Sequence, residues 1–279
     1  MHAAKATGLD NISVKLLNIT SDEIVDVLTF ILNFSIETNC VEYDWNNARD
    51  TPIFKSGDDH IVNNYRPVSV LPIVSKILEI HVFNALYEYL SNNKLIICSQ
   101  SGFRPKHSCE TALNNLVDRW LKHIDDGKLT GVLLIDLSKA FDTVNHNVLM
   151  HTLKSFGICA NSLLWIKSYL CNREQCVGWS GILSEPRNIT IGVPQGSILG
   201  PLLFILFVNN YPRCLTHSHA TIYAADTPQD VSDKSIDTME YKLKEDLANS
   251  MQWMKRNKLT MNLKKTPYVD WDKTKVGKM

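Results

Sequence analysis

The chain has 279 residues, of which 44% are hydrophobic, and its 29 basic side chains balance its 29 acidic ones. This length and composition fit one large globular domain or two small ones with a sizeable core, and they exclude a low-complexity chain. The balanced charge counts against a uniformly basic nucleic-acid binder but leaves room for a local basic groove.

No segment of the sequence is apolar for long enough to cross a bilayer, since the longest apolar run covers only residues 201–208. The first residues carry no apolar core of a signal peptide. The seven cysteines form no CxxC pair, which is typical of free thiols in a reducing compartment. We therefore expect an intracellular protein, cytoplasmic or nuclear, that has no membrane partner.

Hydrophobic periodicity predicts helices and strands that follow one another along the chain. Apolar residues at helical spacing predict helices over residues 22–37, 73–91, 113–124, 146–156, 161–171, 198–208 and 236–254. Apolar or alternating runs predict strands over 130–136 and 219–224, and a hairpin formed by 174–180 and 186–192. The pattern favours an α+β fold in which helices pack on one face of an antiparallel sheet.

Two apolar runs each end in a carboxylate, at Asp136 and at Asp226. An acid at the exposed end of a buried strand suits a metal site, and two neighbouring strands would bring both carboxylates onto shared divalent ions. This spacing indicates metal-assisted phosphoryl transfer. Alternatively, Asp136 is a turn or helix-capping aspartate, which is common at such positions.

Other candidate residues each have a functional and a structural interpretation. Phe141 can pack under a nucleotide sugar or fill a core. Gln195, beside Gly196 in a glycine-containing loop, can lie against a template and primer or cap the next helix. Scattered basic side chains can bind phosphates or face solvent; they are Lys55, Arg66, Arg104, Lys106, His107, Lys264 and Lys265.

Several stretches, in a fixed order, carry a resemblance to a known family. They are TPIFKSG (51–57), NYRPVS (64–69), SQSGFRP (99–105), LIDLSKAFD (134–142), GVPQGSILGPLL (192–203), YAAD (223–226) and WMKRNKLTMNLKKT (253–266). Together they resemble the reverse transcriptase domain of non-LTR retrotransposons, the LINE-like group, over nearly the whole chain.

The resemblance implies a right-hand polymerase fold. It implies fingers over residues 1–128, a palm over 129–268 with an antiparallel sheet packed on helices, and a disordered tail over 269–279. It also implies that this chain lacks the thumb and the upstream endonuclease. The implied reaction is RNA-directed DNA synthesis on an RNA template and DNA primer, from deoxynucleoside triphosphates, with two Mg²⁺ ions.

The resemblance further implies a role for each candidate residue. Asp136 and Asp226 would bind the metal ions, and Lys265 would lie near the leaving pyrophosphate. Phe141 would lie beneath the incoming sugar and exclude a ribonucleotide 2′-hydroxyl. The other nucleotide-binding residues would be Lys55, Arg66, Gln195 and Gly196. The template- and primer-binding residues would be Arg104, Lys106 and Tyr223.

The sequence also departs from the family pattern. The (F/Y)ADD motif has two aspartates, and the first, the essential metal ligand, is replaced here by Ala225. Asp226 is not expected to substitute, because adjacent side chains in extended structure point to opposite faces. Asn210 replaces a usual aspartate, and Pro228 and Pro267 fall where extended structure is expected. We therefore expect a degenerate, inactive reverse transcriptase; the alternative is a non-catalytic remnant that binds nucleic acid.

Overall fold

The computed structural model describes residues 6–263, 266 and 268–271. Its helices are α1 (Val14–Ile19), α2 (Ser21–Glu37), α3 (Ile73–Asn92), α4 (Cys109–Asp125), α5 (His146–Ser155), α6 (Ala160–Leu170), α7 (Leu199–Phe207) and α8 (Ile236–Arg256). Its strands are β1 (Asn47–Phe54), β2 (Tyr65–Val70), β3 (Leu129–Ile135), β4 (Arg173–Trp179), β5 (Ile182–Leu183), β6 (Arg187–Ile189), β7 (His219–Ala220), β8 (Thr227–Asp233) and β9 (Tyr268–Trp271).

Every helix predicted from the periodicity is present, and α1 is an additional short helix. None of the helices in the described part of the chain is long and apolar enough to cross a membrane. Some residues singled out in the sequence lie outside the described residues, namely Lys264, Lys265 and Pro267. The same holds for residues 272–279 of the tail that was predicted over 269–279.

The chain divides into two compact units, each built from two stretches of sequence. The first unit comprises Met1–Leu90 and His146–Leu203, and the second comprises Ser91–Asn145 and Phe204–Met279. Each unit contains its own sheet.

The sheet of the first unit has the strand order β2-β1-β4-β5, and β6 also pairs with β4. The pairing of β1 with β4 is parallel, whereas the other pairings are antiparallel. The antiparallel pairing of β4 with β6 confirms the predicted hairpin.

The sheet of the second unit has the strand order β7-β8-β3-β9, and all of its pairings are antiparallel. Strand β3 is central, and its register with β8 runs from Leu129↔Asp233 to Ile135↔Thr227. Strand β9 pairs with the other side of β3, so the chain is paired through residue 271, inside the segment predicted to be a disordered tail.

Helices cover both faces of this second sheet, so the expectation of helices on one face is wrong. On one face, a methyl group at Gly131 would contact Met239 and Leu243 of α8. On the other face, Arg119 of α4 binds Asp230. Neighbouring residues in a strand point to opposite faces. The near-continuous apolar run of β3 therefore reflects burial on both sides.

Strand β7 is shorter than the predicted strand over 219–224 because Pro228 lies opposite its end. The N–H of Thr221 donates to the carbonyl of Pro228 over 2.9 Å. Pro228 has no N–H to return the second bond of this pair. Regular pairing between β7 and β8 therefore stops at Ala220.

The buried carboxylate of Asp246 ties α8 to the segment that leads into β7. It accepts backbone N–H bonds from Thr216 (2.7 Å), His217 (2.9 Å) and Ser218 (2.6 Å). Burial raises the pKa of Asp246, but these bonds together outweigh burial and hold the pKa below its ordinary value.

Replacing Asp246 by alanine is expected to lower the free energy of unfolding at pH 7 by about 1.5–3 kcal/mol, the typical worth of hydrogen bonds to a charged group. Because the folded-state pKa is depressed, this stabilisation is present above the unfolded pKa of about 3.9 and is lost as the pH falls through the folded pKa. Denaturant unfolding between pH 7 and about pH 3 measures both effects. The exposed Asp118→Ala is the control, and equal losses in the two variants would contradict the assignment.

A partly buried ion pair joins α4 to β8. The guanidinium of Arg119 donates to both carboxylate oxygens of fully buried Asp230 and to the hydroxyl of Thr221. Arg119→Ala leaves a buried carboxylate without its cation, so we expect a loss of about 3–5 kcal/mol of unfolding free energy. Lys122→Ala, on the exposed side of the same helix, should change stability by less than about 0.5 kcal/mol in the same denaturant titration.

Candidate active site

A tight turn links the segment after β7 to β8 in the second unit. Tyr223 and Asp226 exchange backbone N–H bonds of 2.9 and 3.1 Å, with Ala224 and Ala225 between them. Ala224 has a left-handed φ of +58°. Ala225 therefore lies in a turn rather than in extended structure, so the alternation of side chains between two faces does not apply to it.

Asp136 lies beside this turn, directly after the end of β3. The last ladder pair is Ile135↔Thr227, so Asp136 directly follows one member of this pair and Asp226 directly precedes the other. The pairing of β3 with β8 therefore places the two residues that the sequence singled out at the same end of this sheet.

Asn262 holds the half-buried Asp136 through two hydrogen bonds. Its backbone N–H donates to the Asp136 carbonyl over 2.9 Å, and its side-chain amide donates to Oδ2 over 2.9 Å. An isolated bridge between Leu137 and Met261 continues this contact. Sequence reasoning missed Asn262, although it lies inside a recognised motif, because the motif does not show which residue it contacts.

The donor set at this turn does not fit two shared Mg²⁺ ions. Mg²⁺ prefers carboxylate and other oxygen ligands, and the methyl group of Ala225 supplies none. Among the described residues, a group of three acidic and histidine side chains close enough to share an ion is formed by Asp58, Asp59 and His60, which are exposed. Exposed acidic groups are common without an ion, so that cluster is not assigned a role.

Phe141 is held between two other aromatic rings of the second unit. It stacks on Phe204 of α7 with a centroid distance of 4.7 Å, and Phe103 meets it edge-on at 5.8 Å. Phe204 is fully buried, whereas Phe103 is 45% exposed. Phe141 therefore contacts one buried ring and one partly exposed ring. This environment is compatible with both interpretations of Phe141, as a core residue and as a residue that packs under a nucleotide sugar.

The loop with Gln195 and Gly196, in the first unit, is attached by polar contacts to its backbone. His146 contacts the Gly192 carbonyl over 2.7 Å. The Ser69 N–H donates to the Gln195 carbonyl over 2.6 Å. The loop is therefore held at both its beginning and its middle.

Glu79, on α3, caps the start of α7 and holds the end of the same loop. Its Oε2 accepts the N–H groups of Ile198 and Leu199, and the carboxylate is almost fully buried. Burial raises the pKa of Glu79, against the opposing effect of these bonds. Glu79 therefore caps the start of α7 together with the Ser197 hydroxyl, which accepts the N–H of Gly200.

Lys55 and Arg66 lie on one face of the β1–β2 hairpin. Arg66 is opposite Ile53, and the pairing continues with the Lys55 N–H bonded to the Asn64 carbonyl. Both side chains are exposed. Among the described residues neither forms a salt bridge, so both cations are available to an anionic ligand.

The candidate template-binding residues differ in their surroundings. Arg104 turns inward, and its Nη1 donates to the carbonyls of Ile97 (3.2 Å) and Gln100 (2.8 Å). Lys106 and Tyr223 are exposed. Arg104 therefore supports its own loop in this structure.

Comparison with known proteins identifies the family of this chain. Residues 53–276 match the family described as reverse transcriptase (RNA-dependent DNA polymerase). The chain is 30% identical over 276 residues to the RNA-directed DNA polymerase from mobile element jockey of Drosophila melanogaster, covering 95% of this chain and 30% of that protein. It is 29% identical over 277 residues to the probable RNA-directed DNA polymerase from transposon BS of the same species, covering 94% and 30%.

Among solved structures, the chain is similar to a telomerase from Candida tropicalis in complex with a TWJ fragment of telomeric RNA. The TM-score is 0.59 at 13% identity, over 94% of this chain and 46% of that one. This likeness shows a mixed α/β fold. The chain spans about 30% of the length of the curated relatives. The resemblance to non-LTR elements is thereby confirmed, and the chain belongs to the reverse transcriptase (RNA-dependent DNA polymerase) family.

Proposed function

We propose that this chain is the fingers-and-palm part of a non-LTR reverse transcriptase that binds RNA template and DNA primer but does not extend the primer. The observation that carries this proposal is Ala225, a methyl group in the turn beside Asp136. The predicted fingers over 1–128 and palm over 129–268 are part of the proposal.

The sheet of the second unit supports the palm assignment. Its central strand β3 delivers Asp136 to the end of the sheet, and β8 delivers the turn with Asp226. Carboxylates at the end of a strand are the ligands that metal-assisted phosphoryl transfer uses. The position of the first aspartate of the family motif is occupied by Ala225.

The missing carboxylate is sufficient to account for an inactive enzyme. In this family Mg²⁺ would neutralise the charge that develops on the transferring phosphate. Each loss of about 1.4 kcal/mol of transition-state stabilisation slows a reaction by about tenfold. Because the residues present do not fit the pair of ions, no catalytic step is assigned to them.

The binding function is supported by the exposed cations Lys55 and Arg66. Neither is neutralised by a salt bridge within the described residues, and basic side chains on one face suit phosphates. Gln195 and Gly196, in a loop attached by Ser69 and Glu79, complete the proposed nucleotide-binding surface.

We expect the purified chain to give no primer extension with Mg²⁺ or Mn²⁺ on an RNA template. Ala225→Asp returns the missing ligand, so we expect it to bind Mn²⁺ at least about tenfold more tightly than the wild type, a gain of about 1.4 kcal/mol. Calorimetric titration measures the affinity and a gel assay measures extension. Asp136→Asn in the Ala225→Asp background should remove the gain. Extension by the unchanged protein would refute the proposed inactivity.

We also expect salt-dependent binding of single-stranded RNA. Replacing Lys55 and Arg66 together by glutamine should weaken binding and reduce the slope of log K against log salt by about 1.4, because each phosphate contact on a single strand contributes about 0.7. Fluorescence anisotropy at several salt concentrations measures the slope. Arg104 is left unchanged because it supports its own loop.

The matched control replaces Lys154 and Lys167, which are exposed on α5 and α6 of the same unit, by glutamine. This variant has the same net charge as the test variant. Equal slopes for the two variants would show that binding depends on overall charge and not on the β1–β2 hairpin.

A further inference from the structure

The segment Ser99–Gly102 runs alongside the turn at Tyr223–Asp226. The Ile222 N–H donates to the Ser99 carbonyl over 2.8 Å, and the Ser101 N–H donates to the Ile222 carbonyl over 2.8 Å. These bonds form a parallel bridge between Gln100 and Ile222. The turn is therefore supported by a segment of chain far from it in sequence.

Gln100 reaches from this segment into the turn. Its side chain is fully buried, and its Oε1 accepts the N–H groups of Gly102 (2.8 Å) and Ala224 (3.2 Å). Both partners are donors, which fixes the orientation of the side-chain amide. The two backbone bonds that close the turn join Tyr223 and Asp226, so the Ala224 N–H takes its acceptor from Gln100.

The turn needs this support because Ala224 is strained. Its φ of +58° is left-handed, a conformation that costs a residue with a Cβ about 1–2 kcal/mol. Such a conformation persists where the surroundings hold it.

Gly102 shows how closely the two segments approach. A Cβ at this position would overlap the backbone nitrogen of Ala224. Glycine is therefore required by space and not by its own φ. The close approach brings the Gln100 side chain within reach of the turn.

We propose that Gln100 is a positioning residue that holds the turn carrying residues 225 and 226. The inference rests on the proposed function only in identifying this turn as the former metal site. It implies that the turn remains organised although its carboxylate is missing.

Amide hydrogen exchange tests the proposal without requiring activity. Gln100→Met removes the acceptor at similar side-chain length, and Gln252→Met, on the exposed side of α8, is the matched control. We expect the Ala224, Tyr223 and Asp226 amides to exchange at least about tenfold faster in Gln100→Met, a change of about 1.4 kcal/mol. Exchange in α8 should remain unchanged. Unchanged exchange at the turn, or equal acceleration throughout the second unit, would overturn the proposal.

A rescue variant tests the proposal even if Gln100→Met is poorly folded. Ala224→Gly relieves the left-handed strain, so in the double variant Gln100→Met/Ala224→Gly we expect exchange at Tyr223 and Asp226 to return to within about threefold of the wild type. Absence of rescue would show that Gln100 acts elsewhere and would overturn the proposal.

Measurements of Mn²⁺ affinity distinguish a failure of this proposal from a failure of the proposed function. In the Ala225→Asp background, Gln100→Met should weaken Mn²⁺ binding by about tenfold, whereas Gln252→Met should not. Unchanged Mn²⁺ affinity would count against Gln100 as a positioning residue. If Ala225→Asp itself binds no Mn²⁺, the assignment of the turn as a former metal site fails, and the exchange measurements still decide the role of Gln100.

Discussion

The antiparallel ladder between β3 and β8 is the constraint on which the candidate site depends. Its register places Asp136 and Asp226 at the same end of the sheet, although the two residues are far apart in the sequence. Buried polar contacts hold this ladder to its helices. Arg119 binds Asp230 from α4, and Asp246 of α8 accepts three backbone N–H bonds ahead of β7. Because the helices and the ladder stabilise each other, the positions of Asp136 and Asp226 depend on the packing of the whole second unit.

The replacement at Ala225 is a local change in an otherwise supported turn. Asn262 binds Asp136, and Gln100 binds the Ala224 N–H. Neither contact involves the side chain at position 225. Alanine at position 225 is therefore compatible with the contacts that shape the turn.

The loop around Gln195 in the first unit follows the same physical pattern. His146, Ser69 and Glu79 hold it through contacts with its backbone groups. Loops make few regular hydrogen bonds of their own, so buried side chains must satisfy their polar groups.

The sequence by itself determined the helices, the strand that ends just before Asp136 and the ordered family motifs. Periodicity and motif residues are local properties of the chain, so they can be recognised without the tertiary structure. Tertiary structure decided the rest. Both faces of the second sheet are covered, Pro228 ends the pairing of β7, and Arg104 turns inward. Gln100 and Asn262 acquire their roles only from partners distant in sequence. Hydrogen bonding and burial depend on which segments meet in space, and no local pattern specifies that.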